Sequence, residues 1–397
     1  MSRQRYVVLK ATGAKGGLLG AQATPRIEAL QGVEVKMESA TLSTREVLDT
    51  RRDPSVLRAA PVMPVMLVAP KQMAAEAAAA AASPTWGLDA VGASGSPYSG
   101  AGVTVAILDT GIDAGHEAFR GKSIVQKDFT GQGDGDQNGH GTHCAGTVFG
   151  SEVGGVRIGV APGVAKALIG KVLDAQGSGS TEQILDGILW AVREGANVVS
   201  MSIGLDFPGL VRYLVDHEGL DIEPATSQAL SAYRENVRLF DAVAQLVRAH
   251  SSMFEDAIVI AAAGNESERP KYEIATAPPA AADGFISVGA LQKLDGADLR
   301  VGVATFSNAL PVLAAPGVAI GSAKAGGGTA VMSGTSMATP HVAGVAALWL
   351  EQIRKMNPRP RIQQVEGKLV GSATLARLAN PEDAANAGAG LVQAPRE

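Results

Sequence analysis

The stretch Asp134 to Gly146 reads DGDQNGHGTHCAG. It holds two carboxylates, two side-chain amides, two histidines and the only cysteine of the chain. Three chemistries use residues of these types. An EF-hand calcium loop matches through Asp134, Asp136, Asn138 and Gly139, but such a loop needs a bidentate Glu at its twelfth position. Ala145 stands there. A structural zinc site needs four ligands, usually as closely spaced pairs. Beyond His140, His143 and Cys144 the chain offers only the scattered His116, His217, His250 and His341. The third chemistry is a general base on a loop that enters a helix, with Gly139 and Gly141 allowing a sharp bend. A base requires a nucleophile and an orienting carboxylate elsewhere in the chain.

Ser336, in SGTSMATP, is the candidate nucleophile. It precedes VAGVAALWL, which reads as a buried helix, so it lies at the positive end of that helix's dipole. A plain N-cap role for Thr335 and Ser336 stays open on this motif alone. The motif is not the G-x-S-x-G elbow of α/β-hydrolases. Asp109, ending the apolar run VTVAILD, is the candidate carboxylate, with an ordinary turn role as the alternative.

The elements that must hold these residues follow from the pattern of the chain. Hydrophobic residues make up 46% of 397 residues and aromatics 4%, with 48 glycines. That mix suits closely packed α/β layers. From residue 85 to 397, apolar runs alternate with helical stretches such as TEQILDGILWAVREG. The runs are Val103–Asp109, Ala167–Leu173, Asn197–Ile203, Ala257–Ala263 and Phe285–Leu291. Continuous apolar strands between helices predict an α/β fold: a mostly parallel sheet with helices on both faces. Chemistry in such sheets gathers at the carboxyl ends of the strands. Asp109 ends one run and Asn265 follows another.

Residues 1–70 differ. Strand-like RYVVLK, VEVKME and PVMPVMLV alternate with polar segments, which predicts a small α+β unit. Residues 71–84, in the Ala-rich KQMAAEAAAAAASPT, have helix propensity but no amphipathic period and read as a linker. The charge balance of 34 basic and 39 acidic residues gives −5, without a basic run. Nucleic-acid and anionic-membrane partners are therefore not expected. A single Cys excludes an intramolecular disulfide framework. No run approaches the roughly 18 apolar residues of a membrane span, and MSRQRYVVLKATG lacks a signal-like apolar stretch. A cytoplasmic protein is expected, with export by another route or a removed signal as the alternative.

AILDTGID, NGHGTHCAG and SGTSMATPHVAG, in that order, resemble the three motifs of the subtilisin-like serine proteases (the subtilase family). The Cys after the second His is similar to the proteinase K branch. PTWGLDAVGA, KVLDAQGSGS, NVVSMSIG, VIAAAGNE, FSNALPVLAAPGVAI and GAGLVQA also look like family segments, so the resemblance runs from about Thr85 to Ala394. It implies a self-processed serine endopeptidase with Ser336 as nucleophile, His140 as general base and Asp109 as its orienting partner. Asn265 and the Ser336 N–H would form the oxyanion hole. His143 is implied to be structural and Cys144 a small buried hydrophobe. Gly177-Ser178-Gly179 and Ser202-Ile203-Gly204 would be the edges that receive an extended peptide. Ala262, Ala263 and Gly264 would line the primary specificity pocket, whose lack of charge suggests an apolar or broad preference. Residues 1–70 resemble an inhibitory prodomain in size, place and strand alternation, and the 71–84 linker would hold the self-cleavage site. Partners are then protein or peptide substrates and the chain's own prodomain, and a monomer is expected. A protease-like module held inactive by its own prodomain is the alternative.

Catalysis of this kind needs no cofactor and no metal ligands. Structural calcium is common in the family, but EAF after His116 and the loop SEVGGVRIG offer few carboxylates, so the usual strong site is not expected. The span from Ser202 to Asn265 exceeds that of a compact member. Within this 205–257 insertion, Leu230, Tyr233, Val237, Phe240, Ala244 and Val247 predict an amphipathic helix begun by Thr226 or Ser227. It is either a lengthened surface helix or, with Leu205–Pro224, a cover over the cleft.

Overall fold

The structure, a computed structural model, describes residues 3–12, 34–71, 85–249, 257–296 and 298–397. The Ala-rich linker therefore lies almost wholly outside the described residues.

Strand β1 (Gln4–Thr12) sits between β2 (Glu34–Leu42) and β3 (Val56–Pro61), antiparallel to both. Helix α1 (Thr44–Arg52) starts at a capping box formed by Ser43 and Glu46, which satisfies two otherwise orphaned N–H groups. Side chains alternate across a strand. Val8, Val56 and Ala59 form a small cluster on one side. Val7, Leu9, Ala11, Val35 and Leu57 join the core of the larger unit on the other.

The apolar run PVMPVMLV is split. β3 ends at Pro61, and β4 (Pro64–Leu67) leaves the small sheet to pair with the larger unit. Pro61 and Pro64 lack an N–H, so continued pairing across the break would lose donors.

The larger unit is built on eight strands. They include β5 (Thr104–Asp109), β6 (Ser123–Asp128) and β7 (Lys166–Lys171). A short β8 (Ser178–Ser180) lies outside this sheet. β9 (Val198–Met201) rejoins it, and β10 (Ile203–Leu205) departs again. β11 (Ile258–Ala262), β12 (Ile286–Lys293), β13 (Val301–Val303) and β14 (Leu313–Pro316) complete the sheet. Its order is β13-β12-β11-β9-β5-β7-β6, with β14 also beside β12. Every pairing is parallel except that of β13 with β12. The expected run Asn197–Ile203 is thus two strands. They separate at Ser202, where the chain turns from the buried sheet toward β4.

Helices α2 (His140–Phe149), α3 (Thr181–Arg193), α4 (Phe207–Asp216), α5 (Ile222–Ala249), α6 (Thr335–Met356) and α7 (Ile362–Ser372) surround the sheet. Between α5 and α7, β15 (Ile320–Ala323) and β16 (Thr329–Met332) form a hairpin. Two expectations need correction. α5 begins at Ile222, ahead of Thr226 and Ser227. Of the expected positions Phe240, Ala244 and Val247 are buried and Tyr233 and Val237 half-buried, but Leu230 is 57% exposed, and the buried face of the first half is Ala225, Ala229, Ala232 and Asn236. Small alanines let this helix approach closely on a face that a search for large apolar residues passes over.

Among the described residues no helix is long and apolar enough to cross a membrane. α6 is buried from Thr335 to Leu350. At its centre a Cβ on Gly344 would stand 2.5 Å from Val160 Cβ. Gly344→Ala is expected to destabilise the fold by about 1–3 kcal/mol through overpacking. A urea midpoint equal to wild type would refute this.

Candidate active site

Asp109 is the last residue of β5, His140 the first of α2 and Ser336 the second of α6. All three are fully buried. His140 Nδ1 donates to Asp109 Oδ1 at 2.8 Å, and Thr110 N donates to the same oxygen at 2.8 Å. Burial opposes a charge on His140, but the Asp109 carboxylate overrides this and holds its pKa well above the ordinary value. His140 Nε2 has no hydrogen-bond partner among the described residues. Ser336 Oγ donates instead to Val68 O at 2.7 Å.

Asn265 follows β11, as the sequence suggests. Its Oδ1 accepts from Thr335 N and Thr335 Oγ1, both at 2.9 Å. This fixes which way the amide points. Nδ2 donates to Ala69 O at 2.9 Å. Ala262, Ala263 and Gly264 are buried at the end of β11 beside it. Gly264 N donates to Thr335 Oγ1 at 3.2 Å.

The two segments expected to receive a peptide flank one strand, and that strand is β4. Met66 lies opposite Ser178 on one side and Gly204 on the other. Gly179 faces Val65, and Ile203 faces Leu67. Leu67 N donates to Gly177 O at 2.7 Å, and Val68 N to Ser202 O at 3.1 Å. Upstream, Asp206 N donates to Pro64 O and Asn236 Nδ2 to Pro61 O, at 3.1 and 2.8 Å. The insertion therefore borders the cleft strand.

Sequence reasoning passed over two supports. Asp136, read there as part of a failed calcium loop, organises the start of α2. Its Oδ1 accepts from Gly139 N, Asn138 N and Thr110 Oγ1, and its Oδ2 from Thr142 N and Thr142 Oγ1, at 2.6–3.1 Å. Burial pushes its pKa up, but these donors outweigh it and hold the group below the usual carboxylate range. The signal was present as a carboxylate four residues before the first helical position. Lys171, 2% exposed, donates from Nζ to Thr110 O (2.8 Å), Gly135 O (3.3 Å) and Gln137 Oε1 (2.7 Å). A lysine inside an apolar run gives no such hint.

His143 and Cys144 face inward. His143 Nε2 donates to Ile320 O at 3.0 Å and Ala330 O at 3.2 Å. Burial and the charge of His140 push its pKa down to about 3, so it is neutral. Burial pushes the Cys144 thiol up. Cys144 Sγ lies 3.7 Å from His140 Nδ1 and 3.5 Å from Ser336 O.

The compact group at the site is a poor geometric fit to a metal ion. Asp109, His140 and Cys144 are the one compact group of metal-capable side chains among the described residues. Yet Asp109 Oδ1 and His140 Nδ1 are 2.8 Å apart, shorter than the roughly 3.3 Å edge of a tetrahedron with zinc ligands at about 2.0–2.1 Å. Calcium prefers six to eight oxygens, and this group does not supply them. Asp113 is already engaged with Gly115 N and Gly326 N.

Two predictions follow from these contacts. Asp136→Ala leaves several donors of a buried helix start unpaired and is expected to cost about 2–3 kcal/mol of stability. Urea unfolding measures it, and a loss under about 0.5 kcal/mol would refute the assignment. His143 and His341, whose burial holds it down to about 4, are neutral in the fold. An unfolded His titrates near about 6.5. Below that pH the unfolded chain binds protons that the fold refuses, so stability falls as pH drops. His140, with its raised pKa, acts in the opposite sense: its contribution is full below about 6.5 and is lost as pH rises through its folded value. Replacing His341 by Gln should flatten the fall between about pH 6.5 and 5, measured with Ser336→Ala in both proteins. An unchanged slope would contradict a neutral His341.

The family model described as the subtilase family (peptidase S8) matches residues 100–390. The chain is 37% identical over 277 residues to "Subtilisin-like protease 6" of Trichophyton equinum, covering 66% of this chain and 57% of that protein. It is 37% identical over 281 residues to "Subtilisin-like protease 7" of Arthroderma otae, covering 67% and 58%. The chain thus spans less than two thirds of the length of these relatives. A solved structure, described as that of a cold adapted subtilisin-like serine proteinase, superposes with a TM-score of 0.54 at 30% identity, covering 76% of this chain and 92% of that one. The matched span takes in the α/β sheet with Asp109, His140, Asn265 and Ser336, and the chain belongs to the subtilase family.

Proposed function

We propose that this chain is a serine endopeptidase acting on protein and peptide substrates, held in check by its own N-terminal unit. One observation carries the reading. An extended strand of polypeptide, β4, already lies between two edges of the larger unit, with its following carbonyls at Ser336 Oγ and Asn265 Nδ2. β-Augmentation of this kind supplies backbone affinity whatever the sequence.

In the proposed reaction a substrate strand replaces β4. Ser336 Oγ attacks the peptide carbonyl carbon as His140 Nε2 takes its proton. Asp109 keeps Nδ1 protonated and stabilises the imidazolium. Charge on the carbonyl oxygen is met by Asn265 Nδ2 and by Ser336 N–H, one of the first N–H groups of α6, which lack helical acceptors. His140 then protonates the leaving nitrogen, and water resolves the acyl-enzyme. These steps draw only on side chains and backbone donors. Cys144 stays a protonated thiol and is not the nucleophile. The buried, uncharged Ala262, Ala263 and Gly264 favour an apolar residue next to the cut. α4, capped by Asp206, walls the upstream end of the cleft.

The test is a fluorophosphonate probe with casein hydrolysis, before and after the N-terminal unit is removed by limited cleavage. Labelling should fall on Ser336 and disappear in Ser336→Ala. Asp109→Asn should lower kcat by about 10⁴-fold, and Asn265→Ala by about 10²–10³-fold. Casein hydrolysis by Ser336→Ala, or no labelling once the N-terminal unit is gone, would overturn the proposal.

A further inference from the structure

The cleft strand does not present any one peptide bond correctly. Upstream of the nucleophile, Met66 opposite Gly204 and Val68 N on Ser202 O set one register. Downstream, Asn265 Nδ2 on Ala69 O and Lys71 N on Ser333 O set another. The two differ by one residue. A carbonyl ready for attack must offer its carbon to Ser336 Oγ and its oxygen to the Asn265 amide. Here those duties fall on successive residues. Val68 O accepts the Ser336 hydroxyl proton, while Ala69 O takes the amide.

Each bond is held off for a separate reason. For Val68–Ala69, the nucleophile's proton points at the substrate oxygen, and His140 Nε2 is left without a partner among the described residues. For Ala69–Pro70, the oxygen is well placed, but the leaving nitrogen belongs to proline. Its ring carbon replaces the amide hydrogen and restricts the residue before it. His140 would have to reach that crowded nitrogen to release it.

We propose that residues Val68 to Lys71 form a register lock, in which one surplus residue ending in Pro70 keeps the cleft strand uncut by the chain's own Ser336. The inference rests on Ser336 being the nucleophile. The segment is then a stable inhibitor, not a slow substrate. Activity requires residues 61–71 to leave the cleft, not a cut at either bond.

Two changes to the full chain test this. Deleting Pro70 removes the surplus residue: Val68 N keeps Ser202 O, Lys71 N keeps Ser333 O, and Val68 becomes the acyl residue. Ser336 Oγ then bonds to the Val68 carbon, its proton passes to His140 Nε2, and the C–N bond breaks. That proton goes to the Ala69 nitrogen, and water releases Val68 from the ester. Pro70→Ala keeps the length but gives the second bond an ordinary leaving nitrogen. Intact-mass analysis over time should show the wild type whole at both bonds. The deletion should gain a new N-terminus at Ala69, and Pro70→Ala one at residue 70, each at least about 10-fold faster than wild type, or about 1.4 kcal/mol of barrier. Ser336→Ala added to either variant should abolish the cut. A wild-type N-terminus at Ala69 or Pro70, or both variants as stable as wild type, would overturn the lock. Probe labelling once the N-terminal unit has been cleaved off and separated from the larger unit distinguishes the causes. If Ser336 labels, the lock alone fails. If it does not, the protease reading fails and the lock with it.

Discussion

The 2.8 Å bond between His140 Nδ1 and Asp109 Oδ1 ties the end of a central strand to the first residue of a helix. Both groups are buried, so a small displacement would leave a charge and a dipole without compensation. The surroundings are arranged to prevent that. A Cβ on Gly141 would collide with Gly111 O, and one on Gly111 with Gly135 O. Without glycine at both positions the three backbones could not approach. Asp136 gathers the N–H groups at the start of α2, and Lys171 ties Thr110 O to the loop that carries Asp136. The buried Lys171 and the half-buried Asp136 therefore act on the same turn from two sides.

The second helix start uses a different device. Pro340 lies inside α6 and cannot donate to the carbonyl four residues back. That carbonyl belongs to Ser336. It accepts instead from Cys144 Sγ at 3.5 Å and Ser202 Oγ at 3.4 Å. The proline opens an acceptor, and the opening is filled from α2 and from the turn between β9 and β10. One carbonyl thus links the helix bearing Ser336, the helix bearing His140 and an edge of the cleft. This gives the lone cysteine a positional role that needs no reactivity.

The sheet was readable because buried parallel strands are continuous apolar runs, and five of its strands stand out as such. The short motifs were readable because they combine polar types that a core does not otherwise tolerate. Supports such as Lys171 were not, since a buried cation is defined by acceptors distant in sequence. The division at Ser202 and the exit of β4 from the small sheet were hidden for a related reason. Both runs are apolar throughout, and only the partner strand decides where one ends. In α5 the expected Phe240, Ala244 and Val247 are buried, but in the first half the seam follows Ala225, Ala229, Ala232 and Asn236, which an apolar period of large residues does not mark.

The N-terminal unit holds on at more than one place. β4 fills the cleft. The small sheet rests on α3 and α5, with Arg5 on Glu182 at 2.8 Å, Ser39 on Glu182 at 2.6 Å and Asn236 on Pro61 O. The exposed ion pair contributes little. The apolar face of the sheet and the buried Asn236 contribute more. Only Val62 and Met63 separate β3 from β4, so a docked sheet keeps the strand at high effective concentration in the cleft. A cut anywhere after Leu67 leaves this tether whole, because the sheet and the strand both lie upstream of it. On the proposed function, release would depend on undocking the sheet from α3 and α5. The 205–257 insertion supplies α5 and the Asp206 contact to Pro64 O, so part of the hold on β3 and β4 comes from it.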